Sequence, residues 1–243
     1  MRIGVLGLGT IASAVVEGIA GDGHDITVSR RGESHAARLS GMFGNVSVAD
    51  NRQVVEASEV VILGLMAEVA ADLLPGLSFR ADQQVITLMA GATLEQVADW
   101  VAPARASAIV MPFPGIARGG SPIMAQGDMG LLNALFGARN TVYELQDAGE
   151  MAAYLAAQAV LSPAVKLVAD AAGWLGEHVA DPDQGESFLR HLVGSSLEGS
   201  DCATLLRALD TPGGYNQRLR EHMVQSGMSD ALIEGLEKLG GKG

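Results

Sequence analysis

Over the first 145 residues, short apolar runs alternate with stretches of helical periodicity; beyond them only helical patterns remain. The first run, Ile3 to Leu6, is uninterrupted, as a parallel strand buried on both faces requires. It breaks at Gly7, Gly9 follows, and small Ala12 lies in a helical pattern continued by Val15, Val16 and Ile19. Further runs at Ile26–Ser29, Val46–Val48, Val60–Leu65, Val85–Leu88, Ala108–Met111, Ser121–Ala125 and Thr141–Leu145 predict strands. Between them fall predicted helices at Ser34–Leu39 and Asp50–Ala57, one ending near Leu74-Pro75-Gly76, one capped by Thr93 with Gln96 three residues on, and one over Asp128–Phe136. This grammar predicts an α/β Rossmann-type doubly wound domain over residues 1–145. Residues 146–243 predict an all-helical C-terminal domain that supplies a substrate wall, a dimer interface, or both. Its segments are Glu150–Leu161, Ala164–Val179, Glu186–Leu209 and a last helix after Gly214, and the closing Gly240–Gly243 is expected to fray.

Composition narrows the function classes. With 48% apolar and 18% charged residues, the 243-residue chain belongs to well-packed globular proteins. A formal net charge of -12 argues against binding nucleic acid through its phosphates. Cys202 is the only cysteine, which excludes an intramolecular disulfide and any multi-cysteine metal site. His24, His35, His178, His191 and His222 lack ligand spacing, so no metal site is expected. No basic-then-apolar leader precedes the first strand and no apolar run approaches a membrane span, so the expectation is a cytoplasmic protein without a membrane partner.

The candidate chemistry begins at the first strand. Gly7 suits a sharp turn, Gly9 lets a pyrophosphate approach the backbone, and Ala12 lets helix and strand pack closely. The anion would rest on the free amides of Thr10, Ile11 and Ala12 at the helix start. The competing reading is an ordinary strand-to-helix turn. At the end of the second strand stands Ser29-Arg30-Arg31, with no carboxylate to bond a ribose. A hydroxyl and two guanidiniums suit a 2′-phosphate, which favours NADPH with NADH as the alternative; two solvated arginines opening a loop are the other reading. Leu65 and Met66 after the central strand, Ala90 after the next, and Met111-Pro112-Phe113-Pro114 after the sixth would lie along the carboxyl edge of the sheet. The proline-flanked Phe113 is either a rigid wall for the nicotinamide or a plain strand stop. In the helical half, Thr211-Pro212-Gly213-Gly214 either offers backbone amides to a small carboxylate or is an interhelical turn.

These motifs in this order resemble the pyrroline-5-carboxylate reductase family along most of the chain. The matching features are the N-terminal I-G-V-L-G-L-G-T-I-A, Ser29-Arg30, Ala90-Gly91, Met111-Pro112, the Glu144 region and Thr211-Pro-Gly-Gly214. The resemblance implies an NADPH-dependent oxidoreductase that transfers hydride to the C=N of a small cyclic imino acid, as in proline formation. It also implies a helical domain that interlocks with a second subunit as a homodimer. It places the substrate carboxylate on Pro212, Gly213 and Gly214. The chain departs from the family at three points: Phe113 replaces an asparagine, Met66-Ala67 replaces a Lys-Pro pair, and Asn216 replaces a threonine whose hydroxyl approaches the imine nitrogen. Tyr215 and Asn216 are therefore the candidate catalytic residues. The alternatives are a reductase of a different small imino or oxo acid, and a catalytically weak NADPH-binding regulatory protein.

Overall fold

Eight strands form one sheet in a computed structural model that describes residues 1–241. In chain order they are β1 (Arg2–Leu6), β2 (Asp25–Ser29), β3 (Val46–Ala49), β4 (Val60–Leu63), β5 (Gln84–Thr87), β6 (Arg105–Pro112), β7 (Pro122–Gly127) and β8 (Thr141–Glu144). Their spatial order is β3-β2-β1-β4-β5-β6-β7-β8. The first six named run parallel; β7 is antiparallel to β6, and β8 is parallel to β7. The chain winds outward from β1 through β2 to β3, then returns to place β4 on the other side of β1. That reversal creates a crevice between β1 and β4 at the carboxyl ends of the strands, the place where open α/β sheets bind ligands.

The helices between strands cover both faces, as a sheet of apolar strands requires. They are α1 (Thr10–Ile19), α2 (Glu33–Met42), α3 (Asn51–Ala57), α4 (Ala67–Leu73), α5 (Leu94–Val101) and α6 (Met129–Leu132, continued by a wider turn through Gly137). Two separate apolar clusters result, one holding Val15, Val16 and Ile19 of α1, the other holding Val54, Val55, Val97 and Val101. Local chemistry sets the helix starts. Thr93 accepts from the Gln96 amide at 3.2 Å while the Gln96 side chain accepts from the Thr93 amide at 3.0 Å, the reciprocal cap read from the sequence. Asp50 and Gln53 make the same box on α3.

This sheet unit extends from Met1 to Met151, and the second unit begins at Ala152, six residues beyond the expected boundary and inside helix α7 (Ala148–Ala157). The second unit continues with α8 (Leu161–Gly176), α9 (Pro182–Gly199), α10 (Cys202–Ala208), α11 (Tyr215–Gln225) and α12 (Met228–Leu239). Helices α8 and α9 pack on one another, as do α11 and α12. The fold is therefore a Rossmann-type unit followed by an all-helical one.

Three expectations change. The helix expected over Glu186–Leu209 breaks at Ser200, where Asp201 restarts it by accepting from the Thr204 amide at 3.0 Å. The last helix is two, separated by Gly227 at φ 90°, a left-handed conformation that suits glycine. The stretch Ala148–Gly176 is a 29-residue run long and apolar enough, by length and composition alone, to cross a membrane, contrary to the reading of the sequence. Of the closing residues expected to fray, Lys242 and Gly243 lie outside the described residues.

No residue between 152 and 241 is buried. Val160, Leu161, Val165, Leu167, Trp174, Phe188 and Leu197 all stand in solvent. Among the described residues, every buried side chain lies in the sheet unit.

Candidate dinucleotide site

The crevice between β1 and β4 is built on close backbone approach. Gly7 has φ 82°, and a Cβ there would lie 2.6 Å from both the Gly64 carbonyl oxygen and Leu65 Cδ2. Gly64, the residue after β4, is the reciprocal case: a Cβ on it would strike the Gly7 carbonyl oxygen and lie 2.6 Å from the Ala12 Cβ. Gly7, Gly64 and Ala12 thus let the β1–α1 turn, the β4 end and the first turn of α1 meet. Gly9 behaves differently. It precedes α1 as its cap, and no protein atom lies within 4 Å of the place its Cβ would take. One glycine is required by protein packing, and the other leaves a space open.

That open space faces donors. Helix α1 has no side-chain cap and no acidic residue in its first turn. Its first intrahelical bond runs from the Ser13 amide to the Gly9 carbonyl at 2.9 Å, which leaves the amides of Thr10, Ile11 and Ala12 directed past the helix end. The positive end of the helix dipole adds to the same field. Free amides at an uncapped helix start suit an anion such as a pyrophosphate.

The end of β2 contributes in two ways, one of them unexpected. Ser29 is fully buried, and its hydroxyl accepts from the Gly7 amide at 2.9 Å. The sequence assigned this hydroxyl to a 2′-phosphate; its place in the core instead makes it a brace for the glycine turn. Arg30 and Arg31 are exposed, and among the described residues neither guanidinium makes an ion pair. The Arg31 carbonyl accepts from the Leu8 amide at 3.3 Å, which ties the arginine loop to the glycine turn. Gly32 completes that tie. It sits at φ 92° against the Leu8 carbonyl, where any Cβ would overlap. Gly32 was not among the predicted site residues; Gly64 was read only as the start of the edge after the central strand, Gly64 to Ala67, that lies against the cofactor. The signal for Gly64 was present, a glycine ending an apolar run opposite Gly7, but only the pairing of β1 with β4 gives it meaning.

Beyond β4 the edge turns apolar. Leu65 is half-buried, Met66 is 71% exposed at the start of α4, and Ala90 is exposed after β5. Met111 and Pro112 end β6 as predicted, but both are buried and paired with Met124 and Ile123 of β7. They support Phe113, which is half-buried and caps a single turn over Pro114–Ala117.

The predicted substrate and catalytic residues of the helical unit lie together in sequence: Pro212, Gly213 and Gly214 in the turn between α10 and α11, Tyr215 and Asn216 at the start of α11. The backbone of that turn is arranged differently from the expectation. The Gly213 amide donates to the Gln217 side chain at 2.7 Å and the Gly214 amide to the Thr211 carbonyl at 2.9 Å, so neither is free for a carboxylate. Tyr215 opens α11 and is 90% exposed, and Asn216 beside it is exposed as well.

Among the remaining histidines, His24 is buried with Nε2 unpartnered, and Nδ1 lies 3.4 Å from the amino-terminal nitrogen. Burial and the nearby amino terminus hold its pKa below 6.5, with Asp22 opposing. It sits at the amino edge of the sheet, before β2, away from the crevice.

Comparison with known proteins bears on this arrangement. Residues 2–91 match the family described as NADP oxidoreductase coenzyme F420-dependent, a span that takes in β1 to β5 and the crevice but less than half the chain. The whole chain superimposes on 1-pyrroline-5-carboxylate reductase from Streptococcus pyogenes with a TM-score of 0.84, at 17% identity over 100% of this chain and 97% of that one. The Plasmodium falciparum pyrroline carboxylate reductase, solved with NADP bound, gives a TM-score of 0.81 at 14% identity over 100% and 96%. A reductive aminase from Aspergillus terreus, in complex with NADPH and ethyl levulinate, is similar at a TM-score of 0.60 and 18% identity over 99% and 91%. The likeness first drawn from scattered motifs is thus present in the fold: this chain shares the architecture of several pyrroline-5-carboxylate reductases.

Proposed function

We propose that this protein is an NADPH-dependent oxidoreductase that reduces the C=N bond of a small cyclic imine, with pyrroline-5-carboxylate, and hence proline formation, as the first reaction to test. The observation that carries the reading is the crevice itself. Gly7, Gly64 and Ala12 close it to atomic contact on one side, while Gly9 and three helix amides leave it open to an anion on the other. The similar structures support the same assignment, since they are reductases and a reductive aminase in complex with NADPH.

When bound, NADPH would supply a hydride from the nicotinamide ring. The residues of this chain position it. Thr10, Ile11 and Ala12 amides hold the pyrophosphate, and Ser29 fixes the turn that presents them. Arg30 and Arg31, exposed beside that turn and without an ion pair among the described residues, would meet the 2′-phosphate that distinguishes NADPH from NADH. Leu65, Met66, Ala90 and Phe113 line the edge toward the nicotinamide half and keep water from it. Tyr215, with its hydroxyl free, and Asn216 are the proposed contacts to the substrate nitrogen. The carboxylate role of Gly213 and Gly214 requires Gln217 to release the Gly213 amide first.

The helical unit is proposed to be completed by a second copy of the chain. A stretch of some ninety residues with no buried side chain has no core of its own, and small folded units are marginal even with one. An apolar groove of about 1010 Å³ runs between the start of α8 and helices α11 and α12, lined by Val160, Ala164, Leu167, Leu232 and Leu236. A symmetric homodimer covers such faces with the same residues from its partner. The apolar stretch Ala148–Gly176 is read as part of this interface; the Lys166–Asp170 ion pair lies within it. A cytoplasmic location is proposed with it.

Absorbance of NADPH on addition of pyrroline-5-carboxylate, followed by other cyclic imines and small oxo acids, tests the reading. Oxidation with at least one imine is the expected result. Tight NADPH binding without oxidation across the whole panel would leave the catalytically weak binding protein in its place.

A further inference from the structure

Leu8, the residue between the two glycines of the β1–α1 turn, is held by the segment that follows β2. Its amide donates to the Arg31 carbonyl at 3.3 Å, and its own carbonyl lies against Gly32. A Cβ on Gly32 would overlap that carbonyl oxygen and stand 3.0 Å from the Leu8 carbonyl carbon and 3.2 Å from the Leu8 Cβ. Both backbone polar groups of Leu8 thus meet the Arg31–Gly32 pair.

The conformation of Gly32 is set by this contact and not by the helix it begins. Gly32 caps α2, and four other helices start at the carboxyl edge of the parallel strands, from caps at Gly9, Asp50, Met66 and Thr93. Those four caps are extended; Gly32 is left-handed, at φ 92°. A glycine also forgoes the side-chain bond that a serine or aspartate cap gives to the helix amides. What the left-handed turn provides is close approach: the segment lies on the Leu8 backbone with no side chain between.

The two sides of the contact are not held equally. The Leu8 side chain is buried, and Gly7 before it is fixed by the Ser29 hydroxyl and by the backbone of Gly64. Arg30 and Arg31 are exposed, and the bond from Leu8 to Arg31 is long for an N–H···O bond. A methyl group forced between Gly32 and Leu8 therefore displaces the arginine segment and leaves the glycine turn in place.

We propose that Gly32 is a positioning residue for cofactor choice: its contact with Leu8 holds the Arg30–Arg31 segment against the pyrophosphate turn, and so sets how strongly a 2′-phosphate counts in binding. The proposal rests on the reading of this crevice as an NADPH site in which the two guanidiniums meet the 2′-phosphate. Gly32 acts through those guanidiniums. The coupling runs both ways, because a ligand stabilises the arrangement that binds it. A 2′-phosphate on the arginines in turn holds the segment down on Leu8.

The test titrates the full-length parent, Gly32→Ala, Arg30→Ala/Arg31→Ala and the triple variant with NADPH and with NADH. Alongside it, hydrogen exchange at the Leu8 amide of the parent is followed with and without saturating adenosine 2′-monophosphate, which carries the 2′-phosphate and no pyrophosphate. Gly32→Ala should lower the ratio of NADPH to NADH affinity about tenfold, the scale of one charge-assisted hydrogen bond. It should lower that ratio no further once both arginines are gone. Adenosine 2′-monophosphate should slow exchange of the Leu8 amide roughly threefold or more. Equal losses of NADPH and NADH in Gly32→Ala, or a further fall of the ratio in the triple variant, would make Gly32 a structural residue only and overturn the proposal. So would a Leu8 amide whose exchange the bound monophosphate leaves unchanged, which decides the matter should Gly32→Ala not fold. A parent that binds NADPH no more tightly than NADH overturns the 2′-phosphate reading itself, and the proposal with it.

Discussion

The Ser29 hydroxyl accepts the Gly7 amide hydrogen at 2.9 Å inside the core, so the end of β2 braces the glycine turn that follows β1. Replacing Ser29 by alanine leaves a buried N–H without a partner, at a cost of about 1–3 kcal/mol. Denaturant unfolding should show that loss. NADPH and NADH should weaken together, because the turn, not the 2′-phosphate, is affected. A loss confined to NADPH would return Ser29 to the phosphate-binding role.

Gly9 and Gly64 separate packing from ligand space. Gly64→Ala pushes a methyl group into the Gly7 backbone and the Ala12 side chain and should destabilise the protein by roughly 1–3 kcal/mol. A Cβ at Gly9 meets no atom beyond its chain neighbours, so Gly9→Val should unfold close to the parent, yet lower dinucleotide affinity at least tenfold by filling the space before the helix amides. An unchanged affinity in Gly9→Val would remove the pyrophosphate from this turn.

The contrast between these glycines marks what the sequence made legible. The turn, the helix after it and the sheet grammar were readable because glycine freedom and apolar periodicity act over a few residues. Ser29 was assigned to the ligand and belongs to the core, because its burial is set by a strand far from it in sequence. Gly64 and Gly32 acquire their roles only through contacts with Gly7 and Leu8. In the helical unit, the 3.6-residue periodicity located helices but not the breaks at Ser200 and Gly227, where a capping aspartate and a left-handed glycine act locally. The turn amides of Gly213 and Gly214 looked free because the Gln217 side chain that takes one of them is read in sequence as part of the following helix.

Arg30→Ala and Arg31→Ala should act on cofactor choice. A charge-assisted hydrogen bond is worth about 1.5–3 kcal/mol, so the loss in NADPH affinity should be on the order of ten- to a hundredfold, with NADH almost unchanged. Titration of each variant with both nucleotides checks this, and equal losses for the two would show that neither guanidinium touches the 2′-phosphate.

The helical unit should depend on its partner for stability. Its unfolding midpoint should rise with protein concentration, as mass action requires of a coupled dimer. Leu167→Glu, at a groove-lining position already half-exposed in one copy, should yield a monomer by sedimentation with its helices loosened. A parent protein that sediments as a monomer with a concentration-independent midpoint would show that the exposed face has another purpose.

His24 gives the protein a pH dependence of known sign. Its folded pKa is lowered, chiefly by burial, so below about pH 6.5 the unfolded chain binds a proton that the folded chain resists. Above that pH the imidazole is neutral in both states and adds no pH dependence, and stability should fall as pH drops through it. Urea midpoints at about pH 7.5 and pH 5.5 should differ more in the parent than in His24→Gln. An identical slope in both would assign the effect to other groups.

The most direct measurement follows the hydride itself. NADPH carrying deuterium at the transferable nicotinamide C4 position is incubated with the protein and the cyclic imine that it consumes, and the amine product is examined by mass spectrometry and NMR. The account predicts one deuterium per product molecule, on the former imine carbon, and loss of that label in Gly9→Val. An amine without deuterium, or NADPH bound with no amine formed from any imine, would contradict it.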